Sequence, residues 1–99
     1  MNMPNSPAAT VVDRAERQRF ELQVDDSVAF IAYTKSGDRI SFDHTEVPPE
    51  LGGRGVGSRL AQGALELART QALKVIPRCR FIAEYIQRHP EFAGLVVRD

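Results

Sequence analysis

Leu51-Gly-Gly-Arg-Gly-Val-Gly57 places four glycines where one hydrophobic period gives way to another, and the fold follows from what lies on either side. Upstream the period is two. Residues 19–24 alternate, with Phe20, Leu22 and Val24 on one face and Arg19, Glu21 and Gln23 on the other, the pattern of a half-buried strand. Asp25-Asp-Ser27 reads as a turn. Residues 28–34 form a second strand, apolar on both faces and therefore interior, residues 35–38 a further turn, and residues 39–47 a third strand. The first half is an antiparallel meander. Downstream, Val56, Leu60, Ala64 and Leu67 recur at helical spacing as far as about Gln71. Residues 73–76 are β-branched and bounded by Pro77, which suits a strand laid beside the third through a strand-helix-strand crossover. A last helix starts near Cys79, carries Ile82, Tyr85 and Ile86 inward, and ends at His89-Pro90, because the residue before proline disfavours helix. Residues 91–99 fit no single element. The fold class is α/β: a mostly antiparallel sheet with a parallel strand pair around the longer helix, plus a C-terminal helix.

The chain has 99 residues, enough for one modest core and no second folded unit. Residues 1–14 read as a tail, since the first nine are proline-, asparagine- and serine-rich, and residues 15–99 as the domain. Thirteen basic and thirteen acidic residues cancel, so nothing draws the whole molecule to nucleic acid or to an anionic membrane, and any anion must be held locally. No apolar run reaches membrane-spanning length and the start lacks a signal pattern, from which a cytoplasmic chain is expected. Cys79 is the single cysteine, which excludes an internal disulfide and a cysteine-based zinc site. His89 and Glu91 around a proline are too few for a metal, so no metal is expected. Arg14, Arg17 and Arg19 are interleaved with Asp13, Glu16 and Glu21 and read as a solvated face.

Glycines at a strand-to-helix junction permit positive φ and close approach of backbone to ligand. A helix N-terminus there offers unpaired N–H groups and the positive end of the dipole, which suit a phosphate, and Arg54 adds a cation. A dinucleotide fingerprint would need glycine where Ser58 stands, and a P-loop would need a Gly-Lys-Ser/Thr ending, so both are excluded. A glycine-rich turn with no ligand stays open as the alternative. A second constellation lies upstream. If Ile40 and Phe42 face the core, strict alternation sends His44 and Glu46 inward with them. Buried charge is costly, so the two pair with each other, point into a polar cleft, or escape through a bulge that switches the face.

The segment Pro49-Glu-Leu-Gly-Gly-Arg-Gly-Val-Gly-Ser-Arg-Leu60 resembles the acetyl-CoA signature of the GNAT superfamily of N-acetyltransferases, Gln/Arg-x-x-Gly-x-Gly/Ala at the start of a helix. Gly55 and Gly57 match the two signature glycines, while the leading Gln/Arg position falls on Gly52, which takes away one side-chain contact to the pyrophosphate. Together with His44-Thr-Glu-Val47, Pro77-Arg-Cys79 and Tyr85-Ile-x-x-His-Pro-Glu91, the order of signals resembles a small single-domain GNAT-like family, over roughly residues 15–96. The resemblance implies a trimmed GNAT fold with a strand bulge, and acetyl-CoA in the cleft between the strands flanking the signature helix. Thr45, Val47, Gly52, Gly53, Arg54, Gly55, Val56, Gly57 and Ser58 would line it, with Cys79 near the pantetheine end.

The expected activity is acetyl transfer to an unidentified amine, small molecule or protein, by a monomer or weak homodimer. His44 is the first candidate for general base and Glu46 the second. Tyr85 is a candidate proton donor to the leaving thiolate, with a core aromatic as the plain alternative. Cys79, at a helix start between Arg78 and Arg80, is a candidate nucleophile that takes the acetyl group first, or else a small half-buried hydrophobe. A non-catalytic acetyl-CoA sensor acting through a partner, and an interaction domain without cofactor, are the other two readings.

Overall fold

The computed structural model describes residues 10–98. Five strands, Val11–Arg14 (β1), Arg19–Val24 (β2), Ser27–Ser36 (β3), Arg39–Glu46 (β4) and Lys74–Pro77 (β5), form one sheet in chain order. The helices are Val56–Thr70 (α1) and Arg80–Arg88 (α2), and Ala15–Arg17, Pro49–Leu51 and Pro90–Leu95 are 3-10 turns. β1 to β4 pair antiparallel, and β5 pairs parallel to β4 through the α1 crossover. This is the α/β arrangement that the switch of period implies.

The sheet is covered on one side. Phe20, Leu22, Ala29, Ile31, Ile40, Phe42 and Val75 are fully buried, and they share a single core with Leu60, Leu65, Ile82 and Phe92 from the helical segments. α1 lies against β1, β2 and β3, and α2 against β4 and β5. Each large apolar side chain withdrawn from water contributes about 1.5–3 kcal/mol, so this layer carries the stability. The inward residues of α1 are Val56, Leu60, Ala61, Ala64, Leu65 and Ala68, a stripe whose three alanines let the helix approach the sheet. Leu67 sits at its half-buried margin. α1 stops where Ala72 turns left-handed at φ 58° and the Leu73 N–H donates to the Ala68 carbonyl at 2.9 Å.

Two departures from the sequence reading have physical causes. Residues 11–14, read from the sequence as part of the tail, form β1, because they pair with β2, Val11 opposite Leu22 and Arg14 opposite Arg19. Two valines are too few to show alternation. Val11 is held in a notch in the helix surface, since a Cβ at Gly63, in the middle of α1, would collide with it. The rest of the expected tail, residues 1–9, lies outside the described residues. At the other end, residues 90–95 form a 3-10 turn, after which Val96 bridges Val75 and the Val97 N–H donates to the Val75 carbonyl at 2.9 Å. That segment covers part of the outer edge of β5.

Candidate functional site

The site begins with an extra residue in β4. Tyr33 of β3 stands opposite Phe42, but its neighbour Ala32 stands opposite His44, so Asp43 bulges from the ladder. Asp43 is fixed there by the Thr34 and Ser41 hydroxyls, both donating at 2.8 Å. Past the bulge the faces exchange. Thr45 now lies on the core side opposite Ile31, while His44 and Glu46 lie on the uncovered side opposite Ala32 and Phe30. Of the three outcomes that alternation allowed, the bulge is the one the chain adopts, and it spares the core two ionisable groups. His44 and Glu46 also pair, Nε2 to Oε2 at 3.0 Å, with 60% of each side chain exposed.

β4 outlasts its partner. The β4–β5 ladder ends at Phe42 opposite Pro77, and the Cys79 N–H then donates to the Phe42 carbonyl at 2.8 Å. Residues 44–46 continue beyond the end of β5, which leaves a gap between the two strands and a length of strand edge facing it. Cys79 stands at that gap as the N-cap of α2, half-buried, with its thiol 3.2 Å from the Thr45 hydroxyl. Of the two arginines expected to bear on the thiol, Arg80 is 91% exposed and turned to Glu84. The structure thus joins Thr45 to Cys79 and His44 to Glu46, on opposite faces of β4.

The glycine segment enters α1 beside this gap. Gly53 and Gly55 adopt φ of 77° and 72°, a region that costs other residues energy, and Gly55 is the left-handed N-cap. The first helical bond runs from the Arg59 N–H to the Gly55 carbonyl, so the N–H groups of Val56, Gly57 and Ser58 have no intrahelical acceptor. No side chain caps them, and the first turn carries no acid. Val56 itself points into the core, which leaves only its N–H for a ligand. A Cβ at Gly57 would stand 2.9 Å from Phe81 Cζ, so the first turn of α1 lies against the first turn of α2 and brings the uncapped amides near Cys79. Two contacts tether the loop to the β2–β3 turn: the Ser27 hydroxyl donates to Glu50 at 2.6 Å, and Arg54 meets Asp25 at 3.3 Å. The Ser27 bond holds the Glu50 carboxyl below its usual range. Arg54, expected as a cation for the ligand, is shared with Asp25. Val47 follows β4 as a partly buried residue on the core margin.

Tyr85 is not brought to this gap. Its ring is buried, stacked on His89 at 4.0 Å and tilted against Phe92. Burial raises its phenol's pKa, and the charges of Glu91 and Glu66 raise it further. These neighbours belong to neither the glycine loop nor β4. An apolar cleft of about 520 Å³, lined by Pro77, Ala83, Ile86, Pro90, Ala93 and Val96 among others, contains none of the expected site residues. The uncapped amides and the strand edge, which offer backbone groups rather than a hollow, make the candidate site, and this concavity lies apart from them.

The uncovered face holds a group that the sequence reading took for solvated charge. Glu21 is buried at 8% exposure and accepts from Arg19 at 2.6 Å, Arg17 at 3.2 Å and Arg14 at 3.3 Å. Burial alone would raise its pKa, but the three guanidiniums outweigh this and hold it below the usual value. On the covered side, the Tyr33 hydroxyl donates to Asp13 at 2.6 Å, and burial together with that carboxylate raises its pKa. The i, i+2 spacing of Arg19 and Glu21 was the available signal for the cluster; Arg14 and Arg17 join it only through the β1–β2 pairing. Among the described residues no three His, Cys, Asp or Glu side chains gather as a metal site, and no helix is long and apolar enough to cross a membrane.

The chain is similar to known proteins. A model of the GCN5-related N-acetyl-transferase family matches residues 19–95. Protein NATD1 of chicken is 36% identical over 63 residues, and the aligned segment takes in 63% of this chain and 57% of the relative, so the chain spans less than two thirds of that protein. Protein NATD1 of Xenopus tropicalis is 30% identical over 90 residues, covering 88% of this chain and 82% of the relative. The solution NMR structure of a GCN5-like protein from Staphylococcus aureus superposes with a TM-score of 0.65 at 30% identity, covering 83% of each chain.

Proposed function

Because the chain belongs to the GCN5-related N-acetyltransferase family, we propose that it binds acetyl-CoA at the glycine loop and transfers the acetyl group to a primary amine. The observation that carries this reading is the uncapped start of α1, entered through left-handed Gly55 and set beside the gap where β4 runs past β5. The residues present fit such a ligand. The N–H groups of residues 55–58 suit the pyrophosphate, with Gly52 and Gly53 leaving the backbone accessible. The edge of residues 44–46 suits the amide-bearing pantetheine arm, which pairs with it as an added strand would. Acetyl-CoA supplies the activated thioester.

The rest falls to this chain. Glu46 accepts the hydrogen bond from His44 Nε2–H, which leaves Nδ1 of the neutral ring as the proton acceptor. An amine reaching the uncovered face loses its proton to His44 as the C–N bond forms and the thioester C–S bond breaks, and water protonates the departing thiolate. Backbone N–H groups of β4 are placed to stabilise the charge that develops on the carbonyl oxygen. Direct transfer is favoured over a relay through Cys79, because the thiol's neighbour is the Thr45 hydroxyl, while His44 and Glu46 lie across the strand. Tyr85, packed against His89 and Phe92, is assigned to the core in this scheme.

Steady-state release of CoA with an amine panel tests the assignment. His44→Gln lowers kcat by roughly 10²-fold or more, and Cys79→Ala retains most of it. Loss of turnover in Cys79→Ala with acetyl-CoA binding intact would establish the relay instead, and tight binding without turnover on any amine would leave a sensor.

A further inference from the structure

The uncovered face of the sheet is organised in rows. Strand register sets Arg14, Arg19, Ala32 and His44 side by side across four strands, and Val12, Glu21, Phe30 and Glu46 in the adjacent row. Contacts confirm that these side chains share one surface. The Arg19 guanidinium lies 4.2 Å over the Phe30 ring, and Phe30 presents edge-to-face to His44 at 6.3 Å. The two ends differ in charge. At the β1–β2 end three guanidiniums surround one carboxylate, so two positive charges remain in excess, and the Arg14 and Arg17 side chains are 48% and 59% exposed. At the β4 end stand the Glu46 and Asp43 carboxylates, with His44 between them in sequence. Ala32 forms the low ground between, beside the Phe30 ring that the Arg19 guanidinium covers. Neighbouring strands are about 4.7–4.9 Å apart, so Arg19, on the strand that also carries Glu21, and His44 are separated by roughly 9–10 Å.

Each of the three arginines gives one donor nitrogen to Glu21, Nε of Arg14 and Arg19 and one terminal nitrogen of Arg17, out of the five N–H groups a guanidinium carries. Three arginines drawn to one Glu21 hold their heads in fixed positions and leave N–H donors over, which is a preformed seat for a second anion. We infer that the acceptor is a small zwitterion: a primary amine delivered to His44, carrying at its far end a carboxylate or phosphate bound by Arg14, Arg17 and Arg19. The inference rests on the reading of His44 as the base. It adds the class of acceptor, because the acidic end of the face attracts the ammonium form and the basic end its anion, at a spacing that short amino acids do not span.

The test is an NMR titration of the whole chain with 8-aminooctanoate, which when extended covers two strand spacings of roughly 10 Å. The controls are 8-aminooctan-1-ol, which lacks the anion, and 3-aminopropanoate, which is too short. The amino acid is expected to bind at least fivefold more tightly than the amino alcohol and to shift the amides of Arg19, Ala32 and His44. In Arg17→Ala, and in Arg14→Ala as a second variant, the ratio of the two affinities falls by roughly threefold to fivefold. Equal affinity for the amino acid and the amino alcohol, a ratio that neither variant changes, or shifts confined to other surfaces would overturn the inference. Acetyl transfer to both amines, measured as CoA release, separates the two claims. Selective binding without transfer to either amine would refute the acyl-transfer reading and keep the anion seat. Transfer to both with equal KM would refute the anion seat and keep the acyl transfer.

Discussion

Phe42 and Phe30 lie on adjacent strands of the same sheet, yet Phe42 is fully buried under the helices, while Phe30 is half-buried beneath the Arg19 guanidinium and beside His44. On the helix side, side chains are chosen by volume: Phe20, Phe42 and Tyr33 pack ring against ring, and small residues of α1 fit over them. On the other side, side chains are held by pairs: Glu21 by three arginines, Asp43 by two hydroxyls, His44 by Glu46. One face is held by packing and the other by charge pairs and hydrogen bonds. The bulge at Asp43 is where the chain passes from the first regime to the second, since it turns β4's next side chains from core to surface without interrupting the strand.

This contrast is sharpest in paired truncations. Phe42→Ala removes a ring with no room for collapse and costs about 3–5 kcal/mol, a large part of the roughly 5–15 kcal/mol that a small domain has in total. Phe30→Ala loses partial burial and a cation–π contact and costs about 1 kcal/mol. Urea denaturation of both variants measures the difference, and equal midpoints would dissolve the distinction between the faces.

Glu21 is the exception on the uncovered side, because its carboxylate is buried and committed. Glu21→Gln is expected to cost about 1–3 kcal/mol at neutral pH. Its folded pKa lies below the ordinary 4.5, so its contribution is complete above that value and is lost as pH falls through the folded pKa. The wild type therefore loses stability on acidification more steeply than Glu21→Gln, and the two melting curves converge in acid. Parallel pH profiles would show that the three arginines do nothing for the carboxylate.

The β2 to β5 elements and both helices were legible because each has a clean period or a strong stop, as in the alternation of residues 19–24 and the ending at His89-Pro90. β1 was not, since its hold depends on the notch at Gly63, a residue that in sequence reads only as a helix weakness. The glycine loop was legible in residue type and place, because positive φ at Gly53 and Gly55 leaves few alternatives to glycine. Alternation alone left the destination of His44 and Glu46 open, because one extra residue reverses every following side chain and nothing in Asp43 itself announces it, and the family resemblance, which implies a strand bulge, pointed to it. The arginine cluster needs the β1–β2 register, which is a tertiary fact. Tyr85 shows the converse limit: its position in the helix was foreseen, but its neighbours are those of a core aromatic.

Binding of acetyl-CoA through its pyrophosphate at the uncapped start of α1 is tested by a thermal melt with and without acetyl-CoA in wild type and Ser58→Glu. Ser58 is exposed in the first turn of α1, where a glutamate suits the helix dipole and leaves the fold intact, yet sets a carboxylate against the phosphates. Ligand at a hundred times its Kd adds about 2.7 kcal/mol, which for a domain of this size raises Tm by about 10–20 °C. That rise is expected in the wild type, and its loss in Ser58→Glu. An unmoved Tm in the wild type at millimolar acetyl-CoA, or the same rise in both proteins, would contradict binding at this helix start.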